Sequence, residues 1–496
     1  MINAGRAGAL RRFIGAVAAL SLTATGLLLS APISAGAAAP RHCSSTPFRS
    51  SPAQHRWFRI PAIVKTNAGT LVAFAERRDN DNGTDLGNYD IVTTRSTDQG
   101  CSWSAYRVIG SDGANRVSTP VPIVDATTGN VLLFSVVTPR PGSGGTGKGL
   151  YLQTSSNDGT TFSSLLSHPV RPEGAYKGGL TGPGHGIQLS ITHPGRLILA
   201  MGYKTTSGRY GAYGIYSDDH GTTWHTGFDQ QDTTGKVKFL EGTIAELPSG
   251  DLFISFRDKH EGAKAGAARY YAVSKNGGTS LSGPFKRLPL TIVSVQGSAL
   301  ALTGVNSNQL LFSAPADRTI NLRRDMTIYV SRTSGATWSR KYQIELESTP
   351  GSYSDLVQLD AHSIGILYET GTVTWKERIA FQSIGITTLS NPVLVASRLS
   401  YERSKHATTT SAGARVKVTV AVTGIKSPPG RVTLKYVGNG ATRTASVKFT
   451  YSNRGVRVIT LPKLRKGNYV LTLTYSGTGR IKKATRSAGT LHVVSG

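Results

Sequence analysis

Short runs of alternating or wholly apolar residues dominate the chain up to about residue 395, and patterns of helical period are absent. Runs such as "YDIVTTRS", "KGLYLQTS", "AYGIYS", "RYYAVS" and "MTIYVS" predict strands, and each ends on a serine that opens a turn. Those turns repeat. "STDQGCSW" at 96–103 has a near twin in "SDDHGTTW" at 217–224, and weaker copies begin at 155, 274 and 331 ("SSNDGTTF", "SKNGGTSL", "SRTSGATW"). In such a turn an Asp or Asn side chain bonds its own backbone two residues on, and the glycine supplies a positive φ. The aromatic three residues past the glycine is placed to plug a neighbouring core. Repeated all-β units of about sixty residues fit a β-propeller built of four-stranded blades. The span from residue 48 to about 395 has room for six, the sixth closed by strands from both ends of the span.

From residue 405 on the pattern changes to short alternating strands, "VKVTVAVTG", "GRVTLKYVG", "TASVKFTYS" and "NYVLTLTYSGTG", as in an Ig-like β-sandwich. Charge changes at the same place. The formal net charge is +28, and 17 of the 56 Lys and Arg lie from Lys405 onward, a stretch without one Asp or Glu. The expected organisation is therefore an all-β chain: a six-bladed propeller over 40–400 and a basic Ig-like module over 405–496. Such a module suits an anionic cell-surface polymer, or serves only as a soluble spacer. Its cations are not interleaved with stacking aromatics, so nucleic acid is not the expected partner.

The first 39 residues carry Arg6, Arg11 and Arg12 ahead of an uncharged apolar stretch and a series of small residues. That is the layout of a secretory signal peptide, or of a signal anchor if it stays uncut. The expected location is extracellular, with cell-surface attachment through the basic module as a variant, and no integral membrane span in the mature form. Cys43 and Cys101, the only cysteines, could pair in that oxidising compartment. No metal-loop spacing and no phosphate loop is present, so no cofactor and no metal are expected. A propeller closes its own edges, which makes a monomer the expected state.

One residue resists the pattern. Arg59 sits in "HRWFRIPAIV", among Trp57, Phe58, Ile60, Ala62 and Ile63, where a core strand is expected. A buried arginine needs an acidic partner.

The repeated turn resembles the Asp-box of sialidases, and "FRIP" at 58–61 resembles the motif that opens the sialidase propeller. The resemblance continues in order through "FAERRDNDNGTDLGNYDIVTTRSTDQG", "GPGHGI" at 182–187, "FLEGTIAELPSGDLFISFRD", "LLFSAPADRTINLRRDMTIYVS" and "GSYSDLVQLDAHSIGILYET". It implies a bacterial exo-α-sialidase (neuraminidase), a secreted hydrolase of carbohydrate metabolism, with its residues at matching positions. Arg59, Arg257 and Arg323 would clamp the carboxylate of sialic acid, since planar guanidinium groups grip a carboxylate in fixed geometry. Arg324 is the one-residue alternative to Arg323. Glu369 would orient Arg59, and Tyr353 would be the nucleophile with Glu241 as its base. A phenol avoids the repulsion that a carboxylate nucleophile would meet at a carbon bearing a carboxylate, and sialidases are the known exception to the two-carboxyl scheme. Asp85 would be the acid, with Asp79 and Asp81 nearby. Arg78 or Arg77 is a candidate to line the pocket, and His185 a candidate for a structural or rim role.

The resemblance thus implies hydrolysis of terminal sialic acids, with retention through a tyrosyl-enzyme intermediate, from glycoproteins, glycolipids or oligosaccharides. Two alternatives stay open: a catalytically silent sialic-acid-binding lectin or adhesin, and a trans-sialidase that passes the sugar to another acceptor.

Overall fold

The computed structural model describes residues 43–496 except 86, 114, 141, 143–148, 174–178, 261–268, 307, 317–322, 345–348, 391–395, 404–405, 409–412, 424–427, 451–452 and 478–480. The expected signal peptide, residues 1–39, lies outside the described residues. No helix among them is long and apolar enough to cross a membrane.

Six antiparallel sheets succeed one another along the chain, each with its first strand innermost. The first joins Arg56–Lys65, Leu71–Asp79, Asn88–Ser96 and Arg107–Gly110. The sixth joins Gly351–Gln358, Ser363–Thr370 and Arg378–Gly385, and its outer strand is Ser44–Arg49 from the other end of the region. That exchange closes the ring by joining the two ends of the region in one sheet. A Cys43–Cys101 disulfide sits at this seam, with Cα atoms 4.9 Å apart.

The repeated turns explain the ring. In each, the glycine N–H (Gly100, Gly159, Gly221, Gly278, Gly335) donates to the hydroxyl of the opening serine at 2.8–3.0 Å. The third side chain (Asp98, Asn157, Asp219, Asn276, Thr333) accepts from a backbone N–H four residues on. The glycines have φ between 73° and 89°. A Cβ on any of them would run into a strand side chain of the preceding blade: Phe381, Val72, Leu132, Ile198 or Phe253 respectively. The aromatics do the expected plugging. Trp103 packs edge-on against Phe381, Phe162 against Phe74, Trp224 against Phe134 and Trp338 against Phe253. Each box is thus a peg into the blade before it, and the five copies belong to the first five blades.

The innermost strands bring something the residue pattern hides. Those of four blades break register near their first residues, between Arg59 and Ala62, Ser118 and Val121, Phe239 and Gly242, and Gly351 and Ser354. A bulge re-aims the side chains beside it. These four turn toward one mouth of the ring.

Beyond Ile386–Ser390, a three-stranded sheet (Ser397–Arg403, Arg415–Val422, Val456–Thr460) and a five-stranded sheet share one apolar core that includes Leu399, Val418, Leu434, Leu471 and Tyr475. Its first strand starts upstream of the charge break at Lys405. Charge marks the surface of this unit, whereas Leu399 and Tyr401 supply the alternation that packs it.

Candidate active site

The bulged strand ends line a cleft of about 550 Å³ that holds Arg59, Arg78, Asp85, Glu241, Arg257, Arg323 and Tyr353. Tyr353 is buried on the floor, and its hydroxyl donates to Glu241 Oε1. Arg257 Nη1 binds the other carboxylate oxygen at 2.9 Å and reaches the tyrosine oxygen at 3.3 Å. Arg257 itself is steadied by Ser294 Oγ at 3.2 Å. The proton of this pair belongs to the phenol. Burial, then the Glu241 charge, pushes the tyrosine pKa well above its usual value, although Arg257 and Arg323 pull the other way. Burial also opposes the charge on Glu241, but the Arg257 charge and the hydrogen bonds from Arg257 and Tyr353 outweigh it and hold that pKa low.

The internal partner of Arg59 is Glu369. Arg59 Nε donates to Glu369 Oε1 at 2.6 Å, and the carboxylate has no solvent exposure. Glu369 also accepts the N–H of Ile60 at 2.9 Å and that of Tyr353 at 3.3 Å. Ile60 has φ of 60°, a conformation that β-branched residues avoid and that persists only where the surroundings enforce it. One carboxylate therefore ties the strand of Arg59 to the strand of Tyr353.

Arg323 Nη1 donates to Ser352 Oγ at 3.0 Å, and its guanidinium lies 4.9 Å from the ring of Trp375 and 5.8 Å from that of Tyr353. Burial lowers its pKa. Arg324, one residue on, instead bridges to Pro350 in the backbone and is not part of the cleft lining.

At the rim, Asp85 Oδ1 accepts from Arg78 Nη1 at 2.7 Å, with its side chain 88% exposed. Arg78 is held from behind by Glu76 through Nε and Nη2. Burial opposes the Asp85 charge, but the charge and hydrogen bond of Arg78 together prevail, so its carboxyl titrates below the ordinary range. Of the neighbouring candidates, Asp81 pairs with His55, Asp79 faces Arg56 and Arg77, and Arg77 turns to Asp90. None of these enters the cleft.

His185 lies below the floor. Its Nδ1 is 2.8 Å from Oδ1 of the buried Asp355, two residues beyond Tyr353. Asp355 also accepts from Ile63 N–H and Ser298 Oγ at 2.9 and 2.8 Å, so strands of the first, fifth and sixth blades and the 182–187 loop converge on one carboxylate. This staple, not the rim, is where the structure places His185.

Several cleft residues escape a sequence reading. Trp375 covers Arg59 at 4.3 Å, and Lys376 Nζ reaches Asn82 O in the Asp85 loop at 2.7 Å. Both sit in a turn wound around Glu377, whose carboxylate accepts the N–H groups of Thr372, Val373 and Thr374. Arg269, fully buried beneath Glu241, bonds the carbonyls of Glu241, Ser255 and Val295, and burial brings its pKa to about 9. The acidic cap after "GTVTW" was the only available signal for the turn; nothing in "RYYAVS" marks Arg269 as special.

Ring, boxes and an arginine-lined mouth with a tyrosine–glutamate pair at its centre define an Asp-box β-propeller with a cationic cleft. The profile of the BNR repeat-like domain matches residues 69–367, and the chain belongs to that family. Its relatives include a sialidase of Micromonospora viridifaciens, 32% identical over 64% of this chain and 50% of that protein. A sialidase of Bacteroides fragilis is 29% identical over 66% of this chain and 62% of its own length. The chain thus spans between half and two thirds of the lengths of these two relatives. Among solved structures, the Hadza microbial sialidase Hz136 aligns with a TM-score of 0.56 at 27% identity, over 68% of each chain.

Proposed function

We propose that this chain is an exported exo-α-sialidase that hydrolyses terminal sialic acids of glycoconjugates with retention of configuration. The observation that carries the reading is the Tyr353–Glu241 hydrogen bond set among Arg59, Arg257 and Arg323. The substrate carboxylate binds the three guanidinium groups, which places the anomeric carbon over the phenol oxygen. Glu241 takes the phenol proton as the oxygen attacks, and Asp85 in its protonated form gives a proton to the departing glycosidic oxygen. The covalent sugar–tyrosine bond then yields to water. Asp85, now a carboxylate, takes the proton from that water, and the phenol recovers its own from Glu241. The pKa directions suit this cycle: the proton rests on Tyr353 and the base beside it is ionised.

The test is hydrolysis of a fluorogenic α-sialoside by the chain from residue 40, beside Tyr353→Phe, with the first-formed anomer read by proton NMR. Release of the fluorophore, loss of at least a hundredfold in the variant, and the α-anomer appearing first support the proposal. Binding of sialic acid without release would make the protein a lectin, and transfer to added lactose in preference to water would make it a trans-sialidase.

A further inference from the structure

Outside the propeller the most unusual surface is the outer face of the five-stranded C-terminal sheet. Gly430–Gly438, Ala441–Phe449, Gly467–Tyr475 and Ala484–Val494 pair side by side, and alternate residues point to one side. Val432, Leu434, Tyr436, Leu471, Leu473 and Tyr475 go inward to the core. The opposite positions form rows: Lys448 beside Arg431, then Ser446, Thr433, Thr474 and Thr485, then Thr444, Lys435, Thr472 and Ser487. Arg431, Lys435 and Lys448 are exposed. Arg431 and Lys448 are direct cross-strand partners, and like charges so placed repel each other in an isolated sheet. No acidic residue exists from Lys405 to the end to relieve them, and the nearest polar contact of Arg431 is a hydroxyl, Ser446 Oγ at 2.8 Å. These rows are cationic, rich in hydroxyls and free of aromatic rings, and the next row adds two exposed valines, Val437 and Val470.

We propose that this face docks a carboxylated polysaccharide. The cations answer repeating negative charge, with Arg431 and Lys448 bracketing one anionic group and Lys435, four residues along its strand, meeting the next. The hydroxyl rows between them give a surface that can exchange hydrogen bonds with sugar hydroxyls. Base stacking, on which single-stranded nucleic acids rely, has no platform here, because the sandwich tyrosines Tyr436, Tyr469 and Tyr475 are buried. The choice of a carboxylated glycan over a phosphate polymer rests on the proposed function, which places the protein at acidic glycans. The docking itself does not depend on catalysis. Held on such a surface, the propeller meets its target at a raised effective concentration.

The experiment measures retention of the chain from residue 40 on immobilised hyaluronate, an acidic glycan without sialic acid, at about 0.15 M salt. Two charge-matched triple variants are run beside it. One changes Arg431, Lys435 and Lys448 to Ser; the other changes Lys463, Arg465 and Lys466, in the loop at one end of the sandwich, to Ser. The expected result is at least tenfold weaker binding for the face variant, with a shallower salt dependence, and less than threefold for the loop variant. Sialoside hydrolysis is expected to be the same in all three, which keeps this proposal separable from the assignment of activity. Equal losses in both variants would overturn it, since diffuse charge would then suffice. So would no binding by the parent, or tighter binding to double-stranded DNA or polyphosphate that the face variant abolishes.

Discussion

Replacing Glu369 by Gln tests the centre of the arrangement. The carboxylate accepts three hydrogen bonds, two on Oε1 from Arg59 Nε and Ile60 N–H and one on Oε2 from Tyr353 N–H. An amide of the same shape has a single acceptor oxygen. If that oxygen faces Arg59 and Ile60, the amide NH2 confronts the N–H of Tyr353; turned over, it confronts the other two. At least one buried donor loses its bond, a cost of about 1–3 kcal/mol. The charge is lost as well. At 2.6 Å the attraction to Arg59 is roughly 6 kcal/mol for an effective dielectric near 20, and the desolvation of both groups offsets part of it. Breaking a buried ion pair from one side generally destabilises by about 3–5 kcal/mol, and that is the expected loss in urea unfolding. Replacing Arg59 and Glu369 together by Met and Gln is expected to cost less than the single change, because no buried charge is then stranded. The kinetics should split. Arg59 without its partner attracts the substrate carboxylate at least as strongly, so KM is expected to stay within threefold or fall. The strand of Tyr353 has lost its anchor, so kcat is expected to drop about 10–100-fold, some 1.4–2.7 kcal/mol in the barrier. A stability loss under about 1 kcal/mol, or a defect confined to KM, would refute the reasoning.

Four further outcomes follow from the same geometry. Because Arg78 holds the Asp85 carboxyl below its ordinary range, the protonated acid becomes scarce as pH rises; Asp85→Ala should slow a sialyl-lactose at least a hundredfold but an aryl sialoside, whose leaving group needs little protonation, less than tenfold. Arg323→Ala should raise KM about a hundredfold while Arg324→Ala leaves it within threefold, and steady-state kinetics on both would identify the third clamp residue. The Cys43–Cys101 link closes a separation of 58 residues, so the double Ser variant should be destabilised by up to about 4 kcal/mol with unchanged activity at 25 °C. His185 has its pKa raised by Asp355 against the opposing effect of burial, so its contribution to stability is complete below the unfolded value near 6.5 and fades as pH rises through the folded one; His185→Gln should cost more in urea titrations at pH 6 than at pH 9.

What the residues disclosed in advance was whatever recurs or follows a local rule. Box turns use Ser, a polar third residue (Asp, Asn or, once, Thr) and Gly for bonds within five residues, so they are visible in any one copy and unmistakable in five. The candidate site residues were reached through the resemblance to sialidases, whose segments match here in order and in internal spacing, such as Glu241 to Arg257. Pairings across blades were a different matter. The staple at Asp355 joins residues separated by 57, 170 and 292 positions, and nothing in "YSDLVQ" distinguishes its aspartate from a surface one. The bulges are equally silent, since a register shift is set by the partner strand and by the packing of a neighbouring blade. Trp375 reads as one more aromatic until the turn around Glu377 folds it over two arginines.

The charges around the three cleft arginines favour an anion beside them. Arg59 is balanced by Glu369 and Arg257 by Glu241. Arg323 has a hydroxyl and two aromatic faces, and among the described residues no carboxylate pairs with it. Burial lowers its pKa, the signature of a cation whose desolvation is not repaid by an opposite charge. The three guanidinium groups therefore carry one more positive charge than their internal partners neutralise, in a cleft closed by a tryptophan on one side. A single carboxylate restores the balance. On the proposed function neither the glycosidic oxygen nor the sugar hydroxyls could do so, and the acid group of the sugar, more than its ring, is then the feature that fits this pocket.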